Sequence, residues 1–395
     1  MNKKLLTVAI GAALAVPMFA QAAVTVGGQA HMSADYADTY LGTAVTSDSK
    51  KVWNISSNVS NLFFKAEEDL GGGLKGVFFL QEYFRLDDNG GATQTGQNNA
   101  YASPSMNGGT RMHDAPAYVG LSSSSFGSIL LGNMDTPTKN TGRAVDLFGN
   151  AIGDSRNAGA DNTRFQNSVF YNTPNFGGVV VTVAYSTNAD NGIVTPTTGS
   201  PNGYAPVGPA SSTNTRQVYG PALGVKYDQG PLMVAAAYMQ LTDRLATSAT
   251  AYDENTIANL AASFKVGPAR IVGFYQQAKA NGNVVDTDAD TYGIGAAFTF
   301  GNETIKAQYY NVTKSQTART DVSSSVYALG YDHAFSKTLT GYVAVAAASN
   351  DATVVGVTAA GNNVGMTGGG GHGDTLPNVG GGDQNGLSLG IIFNF

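Results

Sequence analysis

The sequence predicts an all-β chain that closes into a 16-stranded antiparallel transmembrane β-barrel, and three observations carry this prediction. The chain ends in an amphipathic strand, LSLGIIFNF, whose apolar side chains share one face: Leu387, Leu389, Ile391, Phe393 and Phe395. Alternation of this kind over about 10 residues is typical of a strand that faces lipid. Short and long connections alternate along the chain. No apolar run after residue 22 reaches the roughly 18 residues of a membrane-spanning helix.

Residues 1–22 have the features of a cleavable secretory signal peptide. Lys3 and Lys4 form a basic start, an apolar stretch follows them, and the tripeptide AQA that ends at residue 22 has the pattern of a cleavage site. No linker or charge block divides the remainder. We therefore expect two parts, a signal peptide at 1–22 and a single barrel domain at 23–395.

Composition and charge exclude several classes of protein. Without the two lysines of the signal, 20 basic residues stand against 28 acidic ones, and this negative balance argues against nucleic acid as a partner. The chain has no cysteine, which excludes the small secreted proteins that are held by disulfides. Fifty glycines, 19 tyrosines and 18 phenylalanines, with only 13% charged residues, are typical of a β-rich chain with many tight turns.

Segments with a period of two residues, bounded by Gly, Pro, Asn and Asp, predict sixteen strands. In one of them Tyr292, Ile294 and Phe298 alternate with Gly293 and Gly295. The predicted strands lie near 24–36, 52–69, 73–87, 115–123, 126–133, 164–173, 178–187, 217–228, 231–241, 255–266, 268–279, 289–300, 302–313, 322–335, 337–349 and 385–395.

The connections fall into two sets that alternate without exception. The tight set lies at 69–75, 122–127, 173–178, 227–232, 264–269, 299–303 and 334–338. The longer, polar set lies at 37–51, 88–114, 134–163, 188–216, 242–254, 280–288, 314–321 and 350–384. An up-and-down barrel with short periplasmic turns and long extracellular loops predicts this alternation, whereas a Greek-key sandwich does not. A closed barrel has no unpaired edge, and sixteen strands leave room for a water-filled lumen.

Six segments, in order along the chain, resemble the Gram-negative general porins, the trimeric sixteen-stranded diffusion channels typical of β-proteobacterial outer membranes. They are KAEEDLGGGLKGVFFLQE (65–82), AYVGLSSSSFGSILLGN (117–133), NSVFYNTPNFGGVVVTVAYS (167–186), LGVKYDQGPLMVAAAYMQ (223–240), YALGYDHAFSKTLTGYVAV (327–345) and the terminal LGIIFNF. Each motif is weak alone, and the six together are specific.

The resemblance implies an outer-membrane channel for passive diffusion of small hydrophilic solutes and ions, with no cofactor and no catalytic step. It also implies a homotrimer in contact with outer-membrane lipid and lipopolysaccharide, in which the loop at 88–114 reaches a neighbouring subunit. In the family, the last strand and its final aromatic residue are recognised by the outer-membrane assembly machinery. Phe395 is therefore the expected assembly signal.

In such porins the third long loop, here 134–163, folds into the pore and narrows it. The resemblance places acids of this loop opposite basic residues of the wall, and opposed charges at a constriction orient solutes and tune ion selectivity. The expected constriction residues are Asp135, Asp146, Asp154 and Asp161 on the loop, and Lys65 and Arg164 on the wall. The alternative for each acid is a solvated surface charge.

The chain departs from the family pattern at positions that affect selectivity. Ala115, Asn133 and Ile392 stand where the family usually has basic residues, and the first strand reads TVGGQAHMS in place of a Tyr-Gly step. Fewer wall cations beside an acidic loop predict a weak preference for cations.

Of three other classes of function, an enzyme is not expected, and the other two stay open. An enzyme would need a positioned nucleophile and base, and none of the four histidines lies in a recognisable catalytic motif. A substrate-specific channel would place aromatic side chains along its pore, for which Tyr204, Tyr219 and Tyr252 are candidates. A loop-mediated adhesin or receptor barrel is the third class.

Overall fold

The structure is a computed structural model that describes the following residues. They are 23–40, 49–87, 115–187, 189, 194–195, 205–206, 216–245, 252–281, 287–316, 321–350 and 383–395. The expected signal peptide at 1–22 and the loop at 88–114 lie outside this part of the chain. In the described part, no helix is long and apolar enough to cross a membrane.

The chain forms a closed antiparallel barrel of sixteen wall strands. The first eight are β1 Ala23–Tyr40, β2 in two parts (Ser49–Ser57 and Asn61–Gly71), β3 Leu74–Tyr83, β4 Ala117–Ser123, β5 Gly127–Asp135, β6 Arg164–Asn172, β7 Val179–Ser186 and β8 Arg216–Gln229. The others are β9 Leu232–Leu245, β10 Tyr252–Val266, β11 Ala269–Asn281, β12 Thr287–Phe300, β13 Glu303–Gln316, β14 Val322–Ala334, β15 Leu339–Asn350 and β16 Gln384–Asn394. Val194–Thr195 and Ala205–Pro206 pair as a separate small ribbon.

The last strand closes the barrel on the first, as the sequence predicts. β16 pairs with β1 from Gln29 opposite Asn394 to Thr39 opposite Gln384, and its other edge pairs with β15. The chain end continues this pairing, because the Phe395 amide donates to the Gly28 carbonyl at 3.0 Å and the Gly28 amide donates back at 2.9 Å. The seven tight turns and the sixteen strand positions are confirmed. Several strands, such as β9 and β10, extend further than predicted.

The prediction of one continuous strand at 52–69 is wrong in one respect, because β2 contains a bulge at residues 58–60. Met32 of β1 lies opposite Ser57, whereas Gln29 lies opposite Asn61, so three residues of β2 face two of β1. Val59 has a positive φ of 54° at this point. The extra residue reverses the alternation, as expected of a bulge.

The barrel wall has two distinct faces, as the alternation predicts. One face is apolar and exposed, and we call it the apolar face; Trp53 (70% exposed), Ile294 (61%) and Leu329 lie on it. The other face, which we call the polar face, carries glycine, alanine and polar side chains. Much of the polar face from β8 to β15 is buried, and side chains such as Gln276 and Thr291 are each only 1% exposed. The hydrophobic core therefore lies on the polar face, under the connection between β5 and β6.

Candidate functional site: the segment packed on the polar face

Residues 136–163, which we call the inner segment, connect β5 to β6 and pack against the polar face. The segment begins with a short helix, α1, at Pro137–Arg143. Thr136 caps α1, since its hydroxyl accepts from the Lys139 amide at 3.2 Å, and proline suits the first helical position. The helix contacts β8, β9 and β10, and a 3₁₀ turn at Ser155–Ala158 contacts β13 and β14. One connection thus covers much of the wall.

Small residues on the polar face allow this close packing. A side chain at Gly224 would lie 2.7 Å from Pro137, and one at Gly330 would lie 2.9 Å from the Phe148 ring. These distances are below ordinary van der Waals contact. The glycines that alternate with apolar residues in the strand sequences therefore mark where the segment docks.

Three amide side chains on three different strands bind the backbone of the inner segment. Asn259 of β10 donates to the Thr138 carbonyl at 2.8 Å. Gln276 of β11 donates to the Gly159 carbonyl at 2.8 Å and accepts from the Asp161 amide at 2.9 Å. Gln308 of β13 accepts from the Leu147 amide at 3.0 Å and donates to the Gly153 carbonyl at 2.8 Å, and it also donates to the Asp146 carboxylate at 3.2 Å. These bonds replace the water that the loop backbone would otherwise need.

At the start of the segment, Asp135 and Arg164 meet directly. The Arg164 Nε lies 2.6 Å from Asp135 Oδ1, and the Lys139 Nζ lies 2.8 Å from the same oxygen. Arg164 also donates to the Tyr83 hydroxyl at 2.8 Å, and its guanidinium lies over the Tyr83 ring. We call these four residues the root cluster. It ties both ends of the inner segment to β3.

Two further acids form a buried ion network with two arginines. Arg156 binds Asp154 with a fork of two bonds, at 2.9 and 2.7 Å. The Arg143 Nη1 bridges the carboxylates of Asp154, at 2.9 Å, and Asp146, at 3.0 Å. Both carboxylate side chains are 0% exposed. Two negative and two positive charges therefore balance inside the segment.

The environments of the two acids move their pKa values in opposite directions. Burial raises the pKa of Asp146, and the neighbouring Asp154 adds to the rise. Burial alone would also raise the pKa of Asp154, but Arg156 and Arg143 outweigh it and hold that pKa at about 2. Asp154 is thus ionised under ordinary conditions and anchors the network.

Asp161, the fourth predicted loop acid, is held by hydroxyl groups. Thr138 and Thr163 donate to its two carboxylate oxygens, each at 2.6 Å, and Asp161 as a whole is 3% exposed. Like the acids of the ion network, its carboxylate therefore holds the segment in shape. The predicted weak preference for cations rests on an acidic loop beside few wall cations. Arginines neutralise Asp146 and Asp154 within the loop, and the preference stays a prediction.

Lys65, the other predicted wall residue, lies on the polar face of β2, away from these contacts. Its Nζ lies 2.6 Å from Glu67, which Lys75 also contacts at 3.3 Å, and half of the Lys65 side chain is exposed. The structure thus brings Arg164 to the inner segment and pairs Lys65 with a neighbour on its own strand. Across the described residues, no group of three or more His, Cys, Asp or Glu side chains could hold a metal ion.

Sequence reasoning missed the amides Asn259, Gln276 and Gln308 and the cation Lys139. Each amide adjoins a large apolar residue of its strand that lies on the other face (Leu260, Tyr275 and Tyr309), and that alternation is the available signal. Lys139 follows Asp135 by four residues, the spacing of an ion pair on a helix.

Comparisons with known proteins agree with this architecture. The model of the Gram-negative porin family matches residues 6–353. The chain is 29% identical over 370 residues to outer membrane porin protein 32 of Delftia acidovorans, covering 90% of this chain and 92% of the relative. It is also 29% identical over 255 residues to an outer membrane porin protein of Bordetella pertussis, covering 61% and 60% of the two chains.

Solved structures show the same fold. An anion-selective porin from Comamonas acidovorans superposes with a TM-score of 0.67 and 24% identity, covering 95% of this chain and all of that one. OmpT of Vibrio cholerae superposes with a TM-score of 0.62 and 14% identity, covering 95% and 98%. The family match spans most of the sequence and the barrel agrees with it, so the chain belongs to the Gram-negative porin family and to the outer membrane.

Proposed function

We propose that the protein forms a water-filled channel for passive diffusion of small hydrophilic solutes and ions across the outer membrane. The observation that carries this proposal is the pair of faces on one closed wall. The apolar face is exposed and suits lipid, whereas the polar face carries Lys65, Glu67 and Lys75 with much of their side chains exposed. A barrel with lipid outside and such charges inside is a pore.

We infer that the inner segment lies within this channel and narrows it. The support is its contact with the polar face of β8 to β10, β13 and β14, whereas the polar face around Lys65 and Lys75 stays exposed. This exposed part, on β2 to β4, is the open part of the wall. In this arrangement Asp135 and Arg164 lie at the rim of the constriction, and Lys65 lies on the open part of the wall. The buried carboxylates Asp146 and Asp154 keep the segment folded and add no free charge to the path.

The partners expected of the family belong to the same proposal. A homotrimer is consistent with the porin fold, and contacts with lipid and lipopolysaccharide follow from the exposed apolar face. Residues 1–22 would direct export and be removed. Neither a cofactor nor a catalytic step is required, because diffusion down a gradient needs only a path.

We also propose that Phe395 is the assembly signal. Its backbone pairs with Gly28, and its ring stands 53% exposed on the apolar face beside Phe393, at 6.3 Å between ring centroids. Deleting Phe395 should lower the outer-membrane yield strongly while the conductance of inserted protein stays unchanged. Normal yield, measured by quantifying heat-modifiable protein in outer-membrane fractions, contradicts this role.

An osmotic swelling assay tests the proposed channel. Liposomes containing the purified protein are placed in isotonic solutions of sugars of increasing size. We expect swelling that slows as solute size rises and that increases linearly with concentration. Liposomes that do not swell would favour the loop-mediated adhesin, and saturation with one sugar would favour a substrate-specific channel.

A further inference from the structure

Three aromatic rings stack side by side on the open part of the polar face. The Phe63 and Phe79 ring centroids are 5.8 Å apart at 26°, and those of Phe79 and Tyr118 are 5.4 Å apart at 22°. They come from β2, β3 and β4, and Phe79 and Tyr118 are direct partners across the sheet. We call these three residues the aromatic stack. Centroid distances of this size are typical of stacked aromatic pairs.

The backbone beside the aromatic stack leaves space for its first ring. Phe63 lies directly over Gly27 of β1, where an added Cβ would come within 2.5 Å of the Phe63 ring. Only a glycine leaves this space. The TVGG sequence of the first strand, a departure from the family pattern, therefore provides the space that the Phe63 ring occupies.

The aromatic stack differs in exposure from other aromatic side chains of the polar face. Phe165 and Phe170 are 0% and 4% exposed, because they belong to the buried core around the inner segment. Phe63, Phe79 and Tyr118 keep part of their surface exposed. Tyr118 packs against the edge of the core, and the other two rings extend the surface away from it. The stack thus offers an apolar, π-rich surface on a wall that is otherwise polar.

A positive charge stands beside the stack. Lys65 lies directly opposite Phe79 in the pairing of β2 with β3. Lys65 and Lys75 share one carboxylate, Glu67, and about half of each lysine side chain is exposed. A planar ring placed on Phe79 therefore has a cation within reach of a substituent at its edge.

We propose that the aromatic stack binds aromatic monocarboxylates, with the ring of the solute against Phe79 and Tyr118 and its carboxylate paired with Lys65. The proposal rests on the proposed channel, in which these residues line the solute path. The exposed Lys65 ammonium favours an anion over a neutral sugar, and the aromatic rings favour a planar ring over an aliphatic one. Farther along β3, four residues and about 13 Å from Phe79, Tyr83 lies under the Arg164 guanidinium and offers a second site of similar chemistry.

Single-channel recording in planar bilayers tests the proposal. The protein is recorded in KCl, and benzoate, cyclohexanecarboxylate, acetate or glucose is then added. We expect benzoate to reduce the KCl current in a saturable way, and we expect cyclohexanecarboxylate to block several-fold more weakly, since it has the same charge and no π face. Absence of any KCl current refutes the channel itself, which separates the two failures.

Matched variants identify the residues at which benzoate blocks the KCl current. Phe79→Leu should weaken benzoate block roughly three- to tenfold, the range expected for loss of one aromatic contact. The control is Phe78→Leu, which alters the adjacent ring on the apolar face of the same strand and should leave the block unchanged. Lys65→Gln, at an exposed position, should weaken benzoate block and leave the ring preference intact, and it keeps the test valid if Phe79→Leu assembles poorly.

Several outcomes overturn the proposal. Equal block by benzoate and cyclohexanecarboxylate removes the role of stacking. Saturable block by glucose without block by benzoate assigns the surface to saccharides. Benzoate block that is unaffected by both Phe79→Leu and Lys65→Gln places the binding site elsewhere.

Discussion

The two parts of the polar face, one covered and one open, make different contacts although both alternate with the same apolar face. On the covered part, glycines such as Gly224 and Gly330 leave space for the inner segment. The amides Asn259, Gln276 and Gln308 bind it there. On β2 to β4 the open part carries the aromatic stack and the charges around Lys65. Small residues suit close contact with backbone, and large or charged ones suit contact with solutes and water. The same alternation along the strands therefore serves two purposes: it anchors the inner segment on one part of the polar face and presents exposed side chains on the other.

Breaking the buried ion network should have the largest effect on this contrast. Arg156→Met leaves the buried Asp154 with one fewer partner, and losing one member of a buried pair costs about 3–5 kcal/mol. We expect the inner segment to detach and the single-channel conductance to rise. Asp288→Asn is the control, because its pair with Lys279 is exposed, lies away from the polar face and contributes little. Unchanged conductance in Arg156→Met would mean that the network does not hold the segment.

Removing one anchoring amide should have a smaller effect. Gln308→Leu deletes three hydrogen bonds to the inner segment, each worth about 0.5–1.5 kcal/mol. Proteolysis of the inner segment in folded protein should become faster. Gln81→Leu changes an amide on the open wall and should not alter the cleavage rate. Equal rates in both variants would argue against anchoring by Gln308.

On the open side, Gly27→Ala should disturb the aromatic stack. An added methyl group would overlap the Phe63 ring, and overpacking of this kind costs about 1–3 kcal/mol. We expect a lower melting temperature and weaker benzoate block. Gly76→Ala is the matched control, because the nearest atom outside its chain neighbours is 3.9 Å away. If Gly27→Ala leaves both the melting temperature and the benzoate block unchanged, the aromatic stack does not depend on Gly27.

Acid should have the smallest effect, and it should act on the covered side. The pKa of Asp154 is depressed to about 2, so its stabilisation is present above its ordinary pKa of 3.8 and is lost as pH falls towards 2. The pKa of Asp146 is raised, so Asp146 is protonated first as pH falls. This protonation removes an unfavourable buried charge and at first stabilises the folded segment. Conductance recorded against pH should therefore rise only below about pH 4. Asp146→Asn should abolish this first, stabilising step. A rise in conductance near neutral pH would contradict the role given to Asp154.

The positions of the strands could be read from the sequence because a period of two is a local property. The bulge at 58–60 was missed, although its signal is present: Trp53 and Ile55 lie on odd positions of the apolar face, whereas Phe64 lies on an even one. Asp135, Asp146, Asp154, Asp161, Lys65 and Arg164 were identified from the family resemblance. Their pairing was not, because the partners of an ion pair are chosen by the folded path of the loop.

The sequence by itself determined the class of fold, the number of wall strands, the alternation of tight and long connections, and the two faces of the wall. Each of these depends on residues that are close together in the chain. The tertiary structure alone decided which part of the polar face is covered and which stays open. That choice depends on contacts such as Asn259 with Thr138 and Gln308 with Gly153, which join residues 121 and 155 positions apart. No local period specifies such pairs, because they form only when the wall has closed and the inner segment has packed against it.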